Sequence, residues 1–388
     1  MSTYDNAKIS VRQFTILIIL GVIGDSILIL PTSIAKNAKQ DSWLSMLLAI
    51  LLGIAAAWTY AVLAKRLQRR SLFIVIREKL GIWIGSMFAL LFLFEFYMCI
   101  IGLLSEMSQF MTAQLMPETP VNAIIVVFSI VMIFAYHYGI EAFSRMSELL
   151  FPVFMMLFIF LTVFLLPQVD MANLRPIAAM GISPILKGTL SAFAIGFTEM
   201  YIMLMLVSHV EGTTSLTKPI ITGFVVGGSL LFIIVLLCVL VLGPNLMQTK
   251  YYPTFVLGQK ITIGKFIERV EAIIAFLWFI SVFYKTTILF YSFTSGIAQL
   301  LQLKESRMLT IPIAMLTLIG TIAVTPNITV YNDIISSYIW FDISFGFLLP
   351  LLLLLLLMLV NKRKKGNPSD NQDNLLQAQE DTSNGSTI

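Results

Sequence analysis

Ten apolar runs succeed one another along the 388-residue chain, near residues 13–35, 43–64, 82–115, 121–138, 149–166, 188–208, 219–243, 270–299, 309–325 and 334–360. Each reaches or approaches the roughly 20 residues that a helix needs to cross a bilayer. A backbone in hydrocarbon must satisfy its own polar groups, which leaves helices as the means of crossing for runs of this kind. Hydrophobic residues make up 58% of the chain and charged residues 12%, about half the share found in soluble domains. The expected fold class is therefore an all-α polytopic membrane protein of about ten transmembrane helices. The longest runs, 82–115 and 270–299, would cross steeply tilted or project beyond the bilayer.

The connections carry an orientation signal. Lys8, Arg12, the basic cluster at 65–79, Arg145, Lys218, Lys304, Arg307 and the 362–365 cluster fall on one side, outnumbering the Lys and Arg of the other side. The positive-inside rule then puts both termini in the cytosol. Residues 361–388, polar and poor in large apolar side chains, read as a disordered cytosolic tail. The first run is too long for the apolar core of a signal peptide, so it is expected to be retained. Cys99 and Cys238 both lie in apolar runs, and no Cys/His cluster suggests a metal. Neither a Walker loop nor a GxSxG elbow is present. The chain is accordingly expected to be no enzyme and to need no cofactor.

Two runs contain residues that do not suit an uninterrupted membrane helix. The first reads Gly24-Asp25-Ser26 at its middle, with Gly21 one turn earlier and Pro31 shortly after. Glycine is a poor helix former, proline lacks the N–H that would continue the ladder, and a mid-membrane carboxylate costs about 2.5–3.5 kcal/mol on insertion scales. The sixth reads Gly196-Phe197-Thr198-Glu199, with Glu199 about 16 Å into its run at 1.5 Å per residue. Dividing the chain into repeats at about 8–166 and 188–360 places one interruption in the first run of each. Five crossings per half give the halves opposite orientation, an inverted repeat whose site lies at the repeat interface. The loop between them contains Asn173-Leu174-Arg175-Pro176.

Buried charge points to the same place. Lys285 lies about 22 Å and Asp342 about 12 Å into their runs. Glu95, Cys99, Gly102 and Glu106 recur at helical spacing, as do Ser281, Lys285 and Ser292. Lys285 would act either as a fixed substitute for a coupling cation beside the first break or as a plain partner of Glu199 or Asp25. The remaining acids have an interhelical pairing as their ordinary role. Bared N–H groups at a half-helix start bind a carboxylate and bared C=O groups at an end bind an ammonium, so the pair of breaks suits a zwitterionic amino acid. Phe94, Tyr97, Phe193, Phe197, Tyr201 and Met203 would shape its apolar side. His137 and His209 sit at run ends and receive no role.

The motifs ISVRQF and GDSILILP within residues 9–31, then Gln40-Asp41-x-Trp43-x-Ser45, resemble the opening of the endospore germination permeases, the B-type subunits of nutrient germinant receptors. Phe266-Ile267-Glu268-Arg269-Val270-Glu271 followed by Trp278, the Leu174-Arg175-Pro176 segment and Glu199 also resemble that family. The resemblance covers residues 8–360, which then form one transmembrane permease-like domain. It implies the amino acid–polyamine–organocation superfamily, a LeuT-like 5+5 inverted repeat with broken first and sixth helices, and residence in the spore inner membrane. It also implies A-type and C-type receptor subunits as partners and an amino acid or similar nutrient as ligand. Carried onto this chain, with the readings above, the ligand-binding set is Gly24, Asp25, Ser26, Tyr97, Phe197, Thr198, Glu199, Ser281, Lys285 and Leu289. Asp25-Ser26 and Lys285 depart from the small and neutral residues of many relatives, which opens the ligand to charged or polar compounds. The expected function is a receptor subunit that binds a small nutrient at mid-membrane and triggers germination. The alternatives are a proton-coupled amino-acid transporter using Glu199 or Asp25, and an assembly scaffold or ion conduit with a vestigial pocket.

Overall fold

The computed structural model describes residues 7–212, 215–261, 271–325, 330, 334 and 338–365. Phe266 to Val270 of the signature before Trp278 and the tail from 366 lie outside these. The described chain is helical: α1 (Val11–Ile23), α2 (Ser26–Ala38), α3 (Ser42–Leu67), α4 (Leu72–Leu80), α5 (Ile82–Phe110), α6 (Val121–Leu165), α7 (Ile182–Phe197), α8 (Thr217–Leu237), α9 (Gly243–Thr249), α10 (Pro253–Gln259), α11 (Glu271–Leu300), α12 (Thr310–Val324) and α13 (Leu349–Lys365). The 45 residues of α6 would span about 68 Å if straight, more than twice the hydrocarbon core. Helical dihedrals fail once within it, at Gly139 (φ 86°, ψ 162°), which splits it into two crossings. With α1 and α2 taken as one interrupted crossing, ten crossings follow among the described residues.

The first interruption is a true break. α1 ends at Ile23, Gly24 adopts φ +30°, and α2 starts afresh at Ser26. The second is a change of helical type. α7 runs to Phe197, whose φ of −131° ends the α-helix, and Thr198–His209 continue as a tighter 3-10 helix. Such a long 3-10 stretch is uncommon, because its hydrogen bonds are poorer and its side chains eclipse. Both interrupted segments are packed at the centre. Nearly all of α7 from Gly188 onward and of the 3-10 stretch is buried, whereas α6, α12 and α13 carry many exposed apolar side chains on their outer faces. That outer surface suits lipid.

Freed backbone carbonyls at the breaks are met by side-chain hydroxyls. Pro31 has no N–H for the carbonyl of Ile27, and Thr254 of α10 donates to that oxygen at 2.6 Å. Ser281 of α11 donates to Gly24 O at 2.8 Å, and Ser26 donates to Ile195 O at 3.1 Å. Tyr60 of α3 reaches Thr198 O at 2.9 Å and Gly346 O at 2.6 Å, joining the second interruption to the last crossing. The expectation that irregular backbone at this depth requires protein partners is met atom by atom.

The sequence motifs at the ends act as fasteners. Ser10 and Gln13 form a reciprocal capping box at the start of α1. Gln13 and Arg12 both reach Glu148, at 3.1 and 3.3 Å. Ile9 pairs with the end of the 3-10 stretch, donating to His209 O and accepting from Glu211 N, both at 2.8 Å. At the other end, Gln40 donates to Pro176 O, Asp41 accepts from Ala178 N, and Ser45 donates to Ile185 O. The linker between the halves is thereby tied to the first repeat.

Candidate functional site

Lys285 projects from α11 one turn after Ser281, so the two share a face. Its ammonium lies 2.5 Å from Asp25 Oδ1 and 2.5 Å from Glu199 Oε2. One side chain on one helix therefore joins the break in the first crossing to the interruption in the second repeat. Lys285 is 1% exposed, and Asp25 and Glu199 are 6% and 7% exposed. An ammonium so deeply buried is tolerated because both carboxylates compensate it. The C-terminal end of α1 adds its own negative dipole. Gly24 is required here for two reasons. Its φ of +30° disfavours L side chains, and a Cβ would lie 2.5 Å from Lys285 Cδ and 2.9 Å from Gly21 O.

Beside the triad lies a cavity of about 100 Å³. Asp25, Glu106, Glu199, Tyr338 and Asp342 supply its polar wall, with Cys99 and Gly102 of α5 between them. Ile29, Met98, Ile101, Ile195 and Ile339 supply apolar wall. Glu106 and Asp342 are 1% and 3% exposed. Tyr201 donates to Glu95 Oε2 at 2.7 Å behind this group. A second cavity, of about 540 Å³, opens at the end of the molecule that holds Ala7, between α4, α6 and α11.

Of the ten residues expected to bind ligand, Gly24, Asp25, Ser26, Glu199, Ser281 and Lys285 meet at the break. Only Asp25 and Glu199 of these line the small cavity. Lys285 does not line it, and it pairs with both Asp25 and Glu199, the two partners that the sequence offered for it. The other four are placed elsewhere. Phe197 packs into the space left by Gly53 and Gly228 and stacks on Phe224 at 6.0 Å. Thr198 donates to Ala194 O within its own helix. Leu289 is fully buried in the core. Tyr97 faces α12, donating to Leu316 O and stacking on Phe293. Among the side chains expected to shape the pocket, Phe94 is half-exposed and packs on Phe341 and Phe345. Sequence reading passed over Tyr338. Its signal was its place four residues before Asp342, on the same face of the last crossing.

The chain matches the family model described as spore germination protein over residues 8–329. Spore germination protein KB of Bacillus subtilis (strain 168) is 24% identical over 368 residues, covering 93% of this chain and 97% of that protein. Spore germination protein XB of Bacillus anthracis is 26% identical over 71% of this chain and 77% of its own length. Among solved structures, MhsT in complex with L-phenylalanine superposes with a TM-score of 0.60 at 16% identity, over 89% of this chain and 87% of that one. Mhp1, a nucleobase-cation-symport-1 family transporter in a closed conformation, gives 0.61 at 11% identity, over 88% and 76%. At these identities the superpositions establish the fold alone, the LeuT-like 5+5 arrangement of an integral membrane protein.

Proposed function

This chain belongs to the spore germination protein family, and from that membership we propose that it is the B-type subunit of a nutrient germinant receptor. In this reading an amino acid or similar small nutrient enters the cavity beside Asp25 and Glu199, and its binding favours one of two packings of the broken helices. The shift passes to A-type and C-type subunits in the spore inner membrane, with both termini of this chain cytosolic and no bond made or broken. The single observation that carries the reading is the Lys285 ammonium held at 2.5 Å by both Asp25 and Glu199. Any ligand that perturbs either carboxylate changes the link between the two interrupted segments.

Spores carrying this receptor as their only one provide the test. A screen of single nutrients should yield a germinant, and Glu199→Gln should shift its dose–response curve while the protein still accumulates. An unchanged curve would count against the pocket. Loss of complex abundance without any change in concentration dependence would favour a scaffold. Buried carboxylates along the cavity support a second reading, proton-coupled transport. Accumulation of radiolabelled nutrient against its gradient in vesicles would decide for it.

A further inference from the structure

Lys285 already serves two carboxylates, yet the cavity wall holds two more acidic side chains, Glu106 and Asp342. Four acids and no Lys, Arg or His line this cavity among the described residues. Asp342, 3% exposed, contributes a buried Oδ1 that no group among the described residues hydrogen-bonds. Burying an acceptor without a donor is costly, and it marks a place where a ligand donor would fit. An anionic group would meet four acids and no lining cation among the described residues, and the carboxylate of a zwitterion would lose much of what its ammonium gains. Nor do these acids converge as a metal cage, since no group of three or more candidate metal ligands exists among the described residues.

We propose that the cavity selects a small organic ammonium of net positive charge, its N–H donors on Asp342 and its short carbon chain against Ile101, Ile195 and Ile339. This rests on the reading of the cavity as the ligand site and narrows the class of nutrient it takes. The volume sets the size. About 100 Å³ is several times the roughly 10–15 Å³ that one water needs on the same measure, so a chain of a few carbons fits. Lys285 offsets one charge of Asp25 and Glu199 but does not line the space, so the four-acid wall stays net acidic.

The full chain in detergent micelles is to be titrated calorimetrically with butylammonium, 1-butanol, butyrate and L-alanine. Butylammonium should bind saturably and more tightly than the other three. Asp342→Asn should weaken it about tenfold or more, the loss of one charge-assisted bond. Equal or tighter binding of L-alanine, or an unchanged butylammonium affinity in Asp342→Asn, would overturn the cationic class and leave the pocket reading standing. Binding of none of the four would also overturn it. In that event the Glu199→Gln dose–response curve in spores still judges the pocket separately. Should Asp342→Asn misfold, the unaltered chain offers a second measurement. Butylammonium, and not 1-butanol, should shield Asp342 from an apolar carbodiimide, read by peptide mass spectrometry. Equal labelling with both would sink the proposal.

Discussion

At the residue scale the protein depends on what surrounds the Lys285 ammonium. Replacing it by Met removes the cation and leaves Asp25 and Glu199 buried and facing one another. Breaking such a pair costs about 3–5 kcal/mol, whereas replacing all partners with neutral residues of similar size is often close to neutral. Lys285→Met should therefore sharply lower the unfolding temperature of the purified chain. The triple change Lys285→Met, Asp25→Asn, Glu199→Gln should recover most of the loss. A triple variant no more stable than the single would show that the ion pairs are not what Lys285 contributes. Gly24→Ala belongs to the same scale. The new methyl meets Lys285 Cδ and Gly21 O on a backbone that L residues rarely adopt, a strain of about 1–3 kcal/mol. It should displace the ammonium and blunt the nutrient response in spores at unchanged protein level. A wild-type dose–response curve in this variant would contradict the assignment.

At the interruptions in the first and sixth crossings, hydroxyls take up backbone carbonyls. Thr254 and Pro31 form a separable case. Thr254→Val leaves Ile27 O buried without a donor, at a cost of about 1–3 kcal/mol. In that background Pro31→Ala restores an N–H in register with Ile27 O, so the double variant should be more stable than Thr254→Val alone. Thermal unfolding of the four combinations measures the coupling. A purely additive result would mean that the threonine serves some other purpose. Tyr60→Phe releases Thr198 O and Gly346 O together. It should loosen the second interruption from the last crossing, read as faster amide exchange along Thr198–His209. Unaltered exchange there would argue that close packing of Gly346 on Thr198 suffices.

Across the whole molecule, the end near residue 9 is fastened by backbone pairing of Ile9 with His209 and Glu211, by Arg69 on Val210 O, and by Arg12 on Glu148. The Ile9 pairing joins the residues leading into α1 to the end of the 3-10 stretch, and Lys285 links the same two crossings at mid-depth. A change of packing triggered at the cavity must move one against the other. Cysteines at Ile9 and Val210, which pair side by side, should on oxidation suppress the germinant response, and reduction should restore it. A full response from the oxidised form would show that signalling does not need this end to open.

Much of this was legible along the chain. Apolar run length and breaker residues gave the helical class, the crossings and both interruptions, because a bilayer enforces a local rule on every backbone group. Asp25, Glu199 and Lys285 stood out for a related reason, since ionisable groups at mid-depth are too costly to be incidental. Hidden were the facts that depend on which faces meet. Phe197 and Tyr97 turn to Gly228 and Gly320 because glycines on distant helices open space there. Likewise Lys285 pairs with its two partners without lining the cavity, so the wall is left acidic, and Tyr338 joins that wall. Spacing along one helix fixes which side chains share a stripe, but only the packing of several helices decides what each stripe faces.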